Sequence, residues 1–213
     1  MPNLYNLIQG RNLERVAALS DGIFAVAMTL LVLDLHIPTA AQVHSEHELL
    51  LALGALCPQW IAYGMSFLTL GIFWAGQQTQ LNYMGEGTRD LTWIHLGFLF
   101  SITLMPLSTR LLAEFITYRA ALVIYWLNIF VPGGMLYWSW AHATHANLIK
   151  PDTPYEIRST ICRRVVIAQS LYAVGAALCV INTWVSIAAI ALVQLNYAFA
   201  PGPRRQKRAH AGS

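Results

Sequence analysis

Apolar runs recur along this chain and are separated by short polar breaks. A helix needs about 20 mostly apolar residues to cross a bilayer. Six segments read as spans: 13–35, 49–77, 91–112, 120–142, 165–181 and 184–199. The first stops before Pro38. The second is long enough to tilt or to kink near Pro58. The third contains Pro106, and the fourth contains Pro132-Gly133-Gly134, where a kink is expected. Only Asn182 and Thr183 separate the last two, which predicts a tight helical hairpin. No internal repeat and no separate soluble domain is visible. The expected fold class is all-α, a polytopic membrane protein with six transmembrane helices. Residues 1–200 form one membrane domain and residues 201–213 a basic tail.

Composition supports this. Of 213 residues, 56% are hydrophobic and 11% charged, against roughly 25% charged in an ordinary soluble domain. Mean hydropathy is +0.49. Disorder is excluded, since it needs low hydrophobicity and high charge. Cys57, Cys162 and Cys179 are widely spaced and form no C-x-x-C pair, which excludes a disulfide scaffold.

Charge sets orientation rather than a nucleic-acid role. The net charge is +3, and its densest cluster, Arg204, Arg205, Lys207 and Arg208, follows an apolar segment. Under six spans, Arg11, Arg15, Arg89, Lys150, Arg158, Arg163, Arg164 and that tail share one side. Arg110 and Arg119 lie on the other, beside the acidic stretch His44-Ser45-Glu46-His47-Glu48. Lys and Arg accumulate on the cytoplasmic side, so both termini are expected there, in the cell inner (plasma) membrane. A cleaved signal peptide is the competitor for the first span, with Thr39-Ala40-Ala41 as a weak cleavage site. Asp21 and Asp34 bracket its apolar core, which favours a retained span.

The first span carries the most chemistry. Gly22, Val26, Thr29, Leu30 and Leu33 recur at helical spacing and form one stripe. It is apolar except for one hydroxyl. Asp21 lies about 140° around the helix from Val26, behind the stripe. A central intramembrane carboxylate costs about 2.5–3.5 kcal/mol, so Asp21 needs a partner or a wet cavity. Arg15 is the nearest cation in sequence but lies about 120° away, so pairing would need another helix or subunit. From periodicity alone, the stripe is either ordinary helix packing or a pore wall that gates by a hydrophobic constriction.

The run Arg15-Val16-Ala17-Ala18-Leu19-Ser20-Asp21, continuing as GIFAVAMTLLVLDLHIP, resembles the R-x-x-x-F-S-D signature of the prokaryotic TMEM175 family of potassium channels. The six-span layout and the regions around Trp74 and Pro106 extend the resemblance over nearly the whole chain. It implies a homotetramer whose first helices line a central pore, without a T-V-G-Y-G filter. It maps the narrowest ring to Val26, further apolar rings to Leu30 and Leu33, and a selectivity hydroxyl layer to Thr29. Arg15, Ser20 and Asp21, with Trp74 and Gln77, are implied to hold helices and subunits together. Three positions depart from the pattern. Leu19 stands for the motif Phe, which alters packing. Val26 is smaller than the usual Ile or Leu, which widens the ring. Gln77 stands where Trp-x-x-His would place a His, and an amide hydrogen-bonds but carries no charge.

No other constellation competes. His44-x-x-His47 with Glu46 and Glu48 could ligate zinc, but a solvated loop is the expected reading, and no metal site is assigned. His142 and His145 read as a polar helix end, and His95 as hydrogen-bonded packing. No nucleophile–base pair, P-loop or dinucleotide fingerprint appears, so no enzyme is expected. The expected partners are further copies of the chain, lipid and permeant potassium, with no cofactor and no nucleic acid. The alternatives are a six-helix secondary transporter, a proton-conducting membrane protein and a non-conducting scaffold.

Overall fold

The computed structural model describes residues 13–39 and 43–199. Arg11, Ala40, Ala41 and the basic tail from residue 201 lie outside the described residues. Eight α-helices follow in order: α1 Leu13–Leu33, α2 Glu46–Ala55, α3 Cys57–Tyr83, α4 Arg89–Thr103, α5 Met105–Glu114, α6 Arg119–His145, α7 Tyr155–Ala177 and α8 Thr183–Phe199. A 3₁₀ turn, Leu178–Val180, joins α7 to α8. Among the described residues there is no strand, only one isolated bridge between Met84 and Ile149.

Four stretches are long and apolar enough to cross a membrane: Leu13–Leu33, Arg89–Glu114, Arg119–His145 and Tyr155–Val180. The bent pair α2 and α3, at 46°, makes a fifth. α8, with 17 residues, is a shorter apolar helix. The chain is thus an all-helical, multi-pass membrane protein.

Three prolines act differently, and their surroundings explain it. Pro58 and Pro106 each sit in the first turn of a new helix, just after a break at Leu56 or Leu104. Proline lacks the N–H that the carbonyl four residues back requires, so α2 ends before α3 and α4 before α5. Pro132 lies inside α6, which remains one 27-residue helix. There Gln169 of α7 donates through Nε2 to the Ile129 carbonyl at 3.5 Å. The carbonyl that Pro132 leaves without a helix donor is that of Asn128, one residue earlier, and a long membrane helix absorbs such a loss through its neighbours and local adjustment. The break bent by 46° is the one expected near Pro58, the break before Pro106 leaves one span, and Pro132, where a kink is expected from sequence, lies in an unbroken helix.

Helix ends are set by local chemistry. Ser45 caps α2 by accepting from Glu48 N–H at 3.2 Å, and Glu48 Oε2 accepts from His44 N–H at 2.7 Å. The His44–Glu48 stretch is therefore a capping arrangement. No three His, Cys, Asp or Glu side chains gather into a metal-holding group among the described residues. α6 ends in a Schellman motif: Asn147 adopts φ 56°, and the Leu148 N–H reaches the Ala143 carbonyl at 2.9 Å. The following residues clamp the end of α3 through Lys150 N–H to the Tyr83 carbonyl, 2.9 Å, and Lys150 Nζ to the Asn82 carbonyl, 2.8 Å.

α7 starts ten residues before the expected span at 165. Arg158, Arg163 and Arg164 thus lie on a helix rather than in a loop. Arg164 sits 5.7 Å from the ring of Tyr197, near the end of α8.

The core sits behind α1. Phe24 meets Phe98 at 6.0 Å, and Phe73 meets Phe98 at 6.2 Å. With Leu31, Leu70, Ile102 and Met105 they fill the space between α1, α3, α4 and α5.

Candidate functional site

α1 has two faces of different chemistry. Val16, Ser20, Phe24, Ala27 and Leu31 are buried against the bundle. On the other side Gly22, Ala25, Val26, Thr29, Leu30 and Leu33 are exposed. Val26 is 57% exposed and Leu33 75%. The stripe expected from spacing therefore stays exposed, with no packing partner among the described residues. A Cβ placed on Gly22 would meet nothing within 4 Å. Leu19, at the motif Phe position, is exposed on this outward side.

Thr29 is the one hydroxyl on this face. Its Oγ1 donates back to the carbonyls of Val26 at 2.8 Å and Ala25 at 3.0 Å. With its proton turned into its own helix, the oxygen presents lone pairs outward. That orientation suits a cation, not an anion.

Ser20 and Asp21 anchor the helix. Ser20 Oγ donates to Gln77 Oε1. Asp21 Oδ1 accepts from Trp74 Nε1 at 2.7 Å and from Gln78 Nε2 at 2.8 Å. Two adjacent motif residues thus grip α3 at adjacent glutamines. The intramembrane carboxylate finds its partners in neutral donors on α3. Arg15 is exposed, with no hydrogen bond to another described residue, so the chain alone does not bring it to this cluster. Ser20, Asp21, Trp74 and Gln77 do come together. His95, expected as hydrogen-bonded packing, joins them, and so do Gln78 and Ser139, which the sequence did not single out. Gln78 had a signal: it follows Trp74 at i+4, on the same face.

A match to sequences of the family described as endosomal/lysosomal potassium channel TMEM175 covers residues 15–106. A potassium channel of Streptomyces collinus is 31% identical over 204 residues, covering 92% of this chain and 97% of its own length. The chain belongs to the TMEM175 family. A potassium channel of Chamaesiphon minutus is 27% identical over 190 residues, covering 86% of this chain and 92% of that one. The crystal structure of a homologue, from Chamaesiphon minutus, of the lysosomal potassium-selective channel TMEM175 superposes with a TM-score of 0.78. It shares 25% identity and covers 88% of this chain and 96% of that one.

In this TMEM175 chain the amide at position 77 gives the buried network a direction. Gln77 uses its oxygen for Ser20 and its Nε2 for His95 Nδ1, at 3.2 Å. Nδ1 is then the acceptor, the ring proton sits on Nε2, and Nε2 faces Ser139 Oγ at 3.1 Å. Ser20, Gln77, His95 and Ser139 are all buried. The line of bonds ties α1 through α3 and α4 to α6.

Proposed function

We propose that this chain is a subunit of a potassium channel whose conduction path is lined by the exposed face of α1. Four copies surround the path, with Val26 at the narrowest ring, Leu30 and Leu33 as further apolar rings, and Thr29 as the hydroxyl layer. The observation that carries the reading is the division of α1. One face is bonded and packed into the subunit, while the other is apolar, holds one outward-facing hydroxyl oxygen and has no partner among the described residues. The relatives described as potassium channels, alike over most of their length, support potassium as the permeant ion. The space behind α1 is filled by Phe24, Phe73 and Phe98, which favours a path between subunits over one through a subunit.

The membrane arrangement belongs to the same proposal. α8 is about 26 Å long at 1.5 Å per residue, near the roughly 30 Å of a hydrocarbon core. Its buried Gln194 donates to Thr69 Oγ1 of α3 at 2.7 Å. Counting α8 gives six spans. Both termini then lie on the cytoplasmic side of the plasma membrane with Arg15, Arg89, Lys150, Arg158, Arg163 and Arg164.

An apolar ring excludes water when narrow and conducts when dilation wets it. Beyond it, Thr29 hydroxyls replace part of the ion's hydration shell. Hydroxyls and retained water control geometry less tightly than a carbonyl cage, so the preference for potassium over sodium is modest. Ion flux into proteoliposomes tests the reading. A channel gives fast, non-saturating, electrogenic potassium flux with smaller sodium flux. Saturable gradient-coupled uptake would show a transporter, and no flux a scaffold.

A further inference from the structure

We propose that the groove between the start of α4 and the end of α6 is a binding site for an ammonium-bearing phospholipid headgroup. Asp90, Trp93, Ile94, Met135, Trp138 and His142 line a cavity of about 400 Å³ there. It lies apart from the α1 face, and the proposed conduction path makes no use of it.

The lining is ordered by helical spacing and by burial. On α4, Asp90 in the first turn is followed at i+3 and i+4 by Trp93 and Ile94. On the antiparallel α6, His142 in the last turn is preceded by Trp138 four residues back and Met135 three further back. Residues three and four apart share a helix face, about one 5.4 Å turn apart. Asp90 and His142 therefore lie at one end of the groove as its rim, and burial separates the rest: the exposed Trp93 and Trp138 stand outermost, while the buried Ile94 and half-buried Met135 form the floor.

Each level matches a part of a phospholipid. Asp90 is exposed and makes no hydrogen bond to another described residue. Its carboxylate carries a full negative charge at the mouth of the cavity and favours a cation. Trp93 and Trp138 are 63% and 55% exposed, and indole faces attract ammonium groups. The His142 ring and the indole N–H groups offer donors to phosphate and ester oxygens. The apolar floor receives the start of an acyl chain. Trp at an interface is common. A carboxylate and an imidazole lining the same cavity as two indoles is the added feature, and the carboxylate charge selects an ammonium headgroup over an anionic one.

Native mass spectrometry of the full-length protein tests this. The purified, delipidated assembly is supplied in turn with phosphatidylethanolamine, phosphatidylcholine and phosphatidylglycerol. Wild type is expected to retain at least one of the two ammonium lipids over phosphatidylglycerol. Asp90→Asn, at an exposed site, is expected to lower that retention roughly tenfold, the size of one charge-assisted contact. Trp138→Leu is expected to lower it for every ammonium lipid that binds. Equal retention of all three lipids, or unchanged retention in Asp90→Asn with its elution volume unaltered, would overturn the proposal.

Discussion

Gln77 holds Ser20 with one end of its amide and His95 with the other. Gln77→Leu keeps the volume but leaves a hydroxyl and a ring nitrogen unpaired in the core. An unsatisfied buried group costs about 1–3 kcal/mol, so the variant is expected to lower the apparent melting midpoint in detergent. A midpoint equal to wild type would show that the network carries no stability. On the opposite face of α1, Thr29→Ala is expected to lower the potassium-to-sodium permeability ratio, read from bilayer reversal potentials. Val26→Ala widens the proposed ring and is expected to raise unitary conductance or leak. The stripe holding these residues was legible from spacing alone, because an unpartnered helix face still follows a 3.6-residue period. The partners of Asp21 were not, because Trp74 and Gln78 lie more than 50 residues away and only the fold brings α3 against α1. His95 was read as hydrogen-bonded packing, which it is, but its link to Gln77 needed the structure.

Among the elements, prolines punctuated the chain as the pattern suggested, yet their effect depended on neighbours. Pro58 and Pro106 open new helices, whereas Pro132 sits in a continuous one next to Gln169. No local signal distinguishes these cases, and the side-chain donor beside Pro132, Gln169 to the Ile129 carbonyl, comes from α7. Gly133 makes room for that donor: a Cβ there would fall 1.7 Å from Gln169 Nε2. Gly133→Ala must swing Gln169 away from the Ile129 carbonyl. The expected result is a lowered melting midpoint, about 1 kcal/mol for the lost bond. An unchanged midpoint would mean that the Gln169 bond to the Ile129 carbonyl carries no stability. The start of α7 was missed by ten residues because Arg158, Arg163 and Arg164 break the apolar run without breaking the helix.

For the molecule as a whole, scarcity of charge announced a membrane protein, and the Lys and Arg pattern supports the proposed orientation. His47, exposed in the first turn of α2, tests that orientation. A cysteine placed there by His47→Cys is expected to react with a membrane-impermeant thiol reagent applied to the outer face of intact cells. Reaction only in inverted vesicles would reverse the topology. Oligomeric state left no mark on the hydropathy pattern, because a face turned to another copy and a face turned to lipid are both apolar. Only Gly22 and Thr29 set the exposed face of α1 apart.

The conduction path is tested most directly by substituted-cysteine block. Val26→Cys channels are recorded in a bilayer while a small cationic methanethiosulfonate reagent is applied, with wild type as control for Cys57, Cys162 and Cys179. If Val26 faces the path, potassium current falls irreversibly in the variant and persists in wild type. Current that persists in a fully modified variant, with modification verified by mass, would place Val26 outside the path and contradict the account.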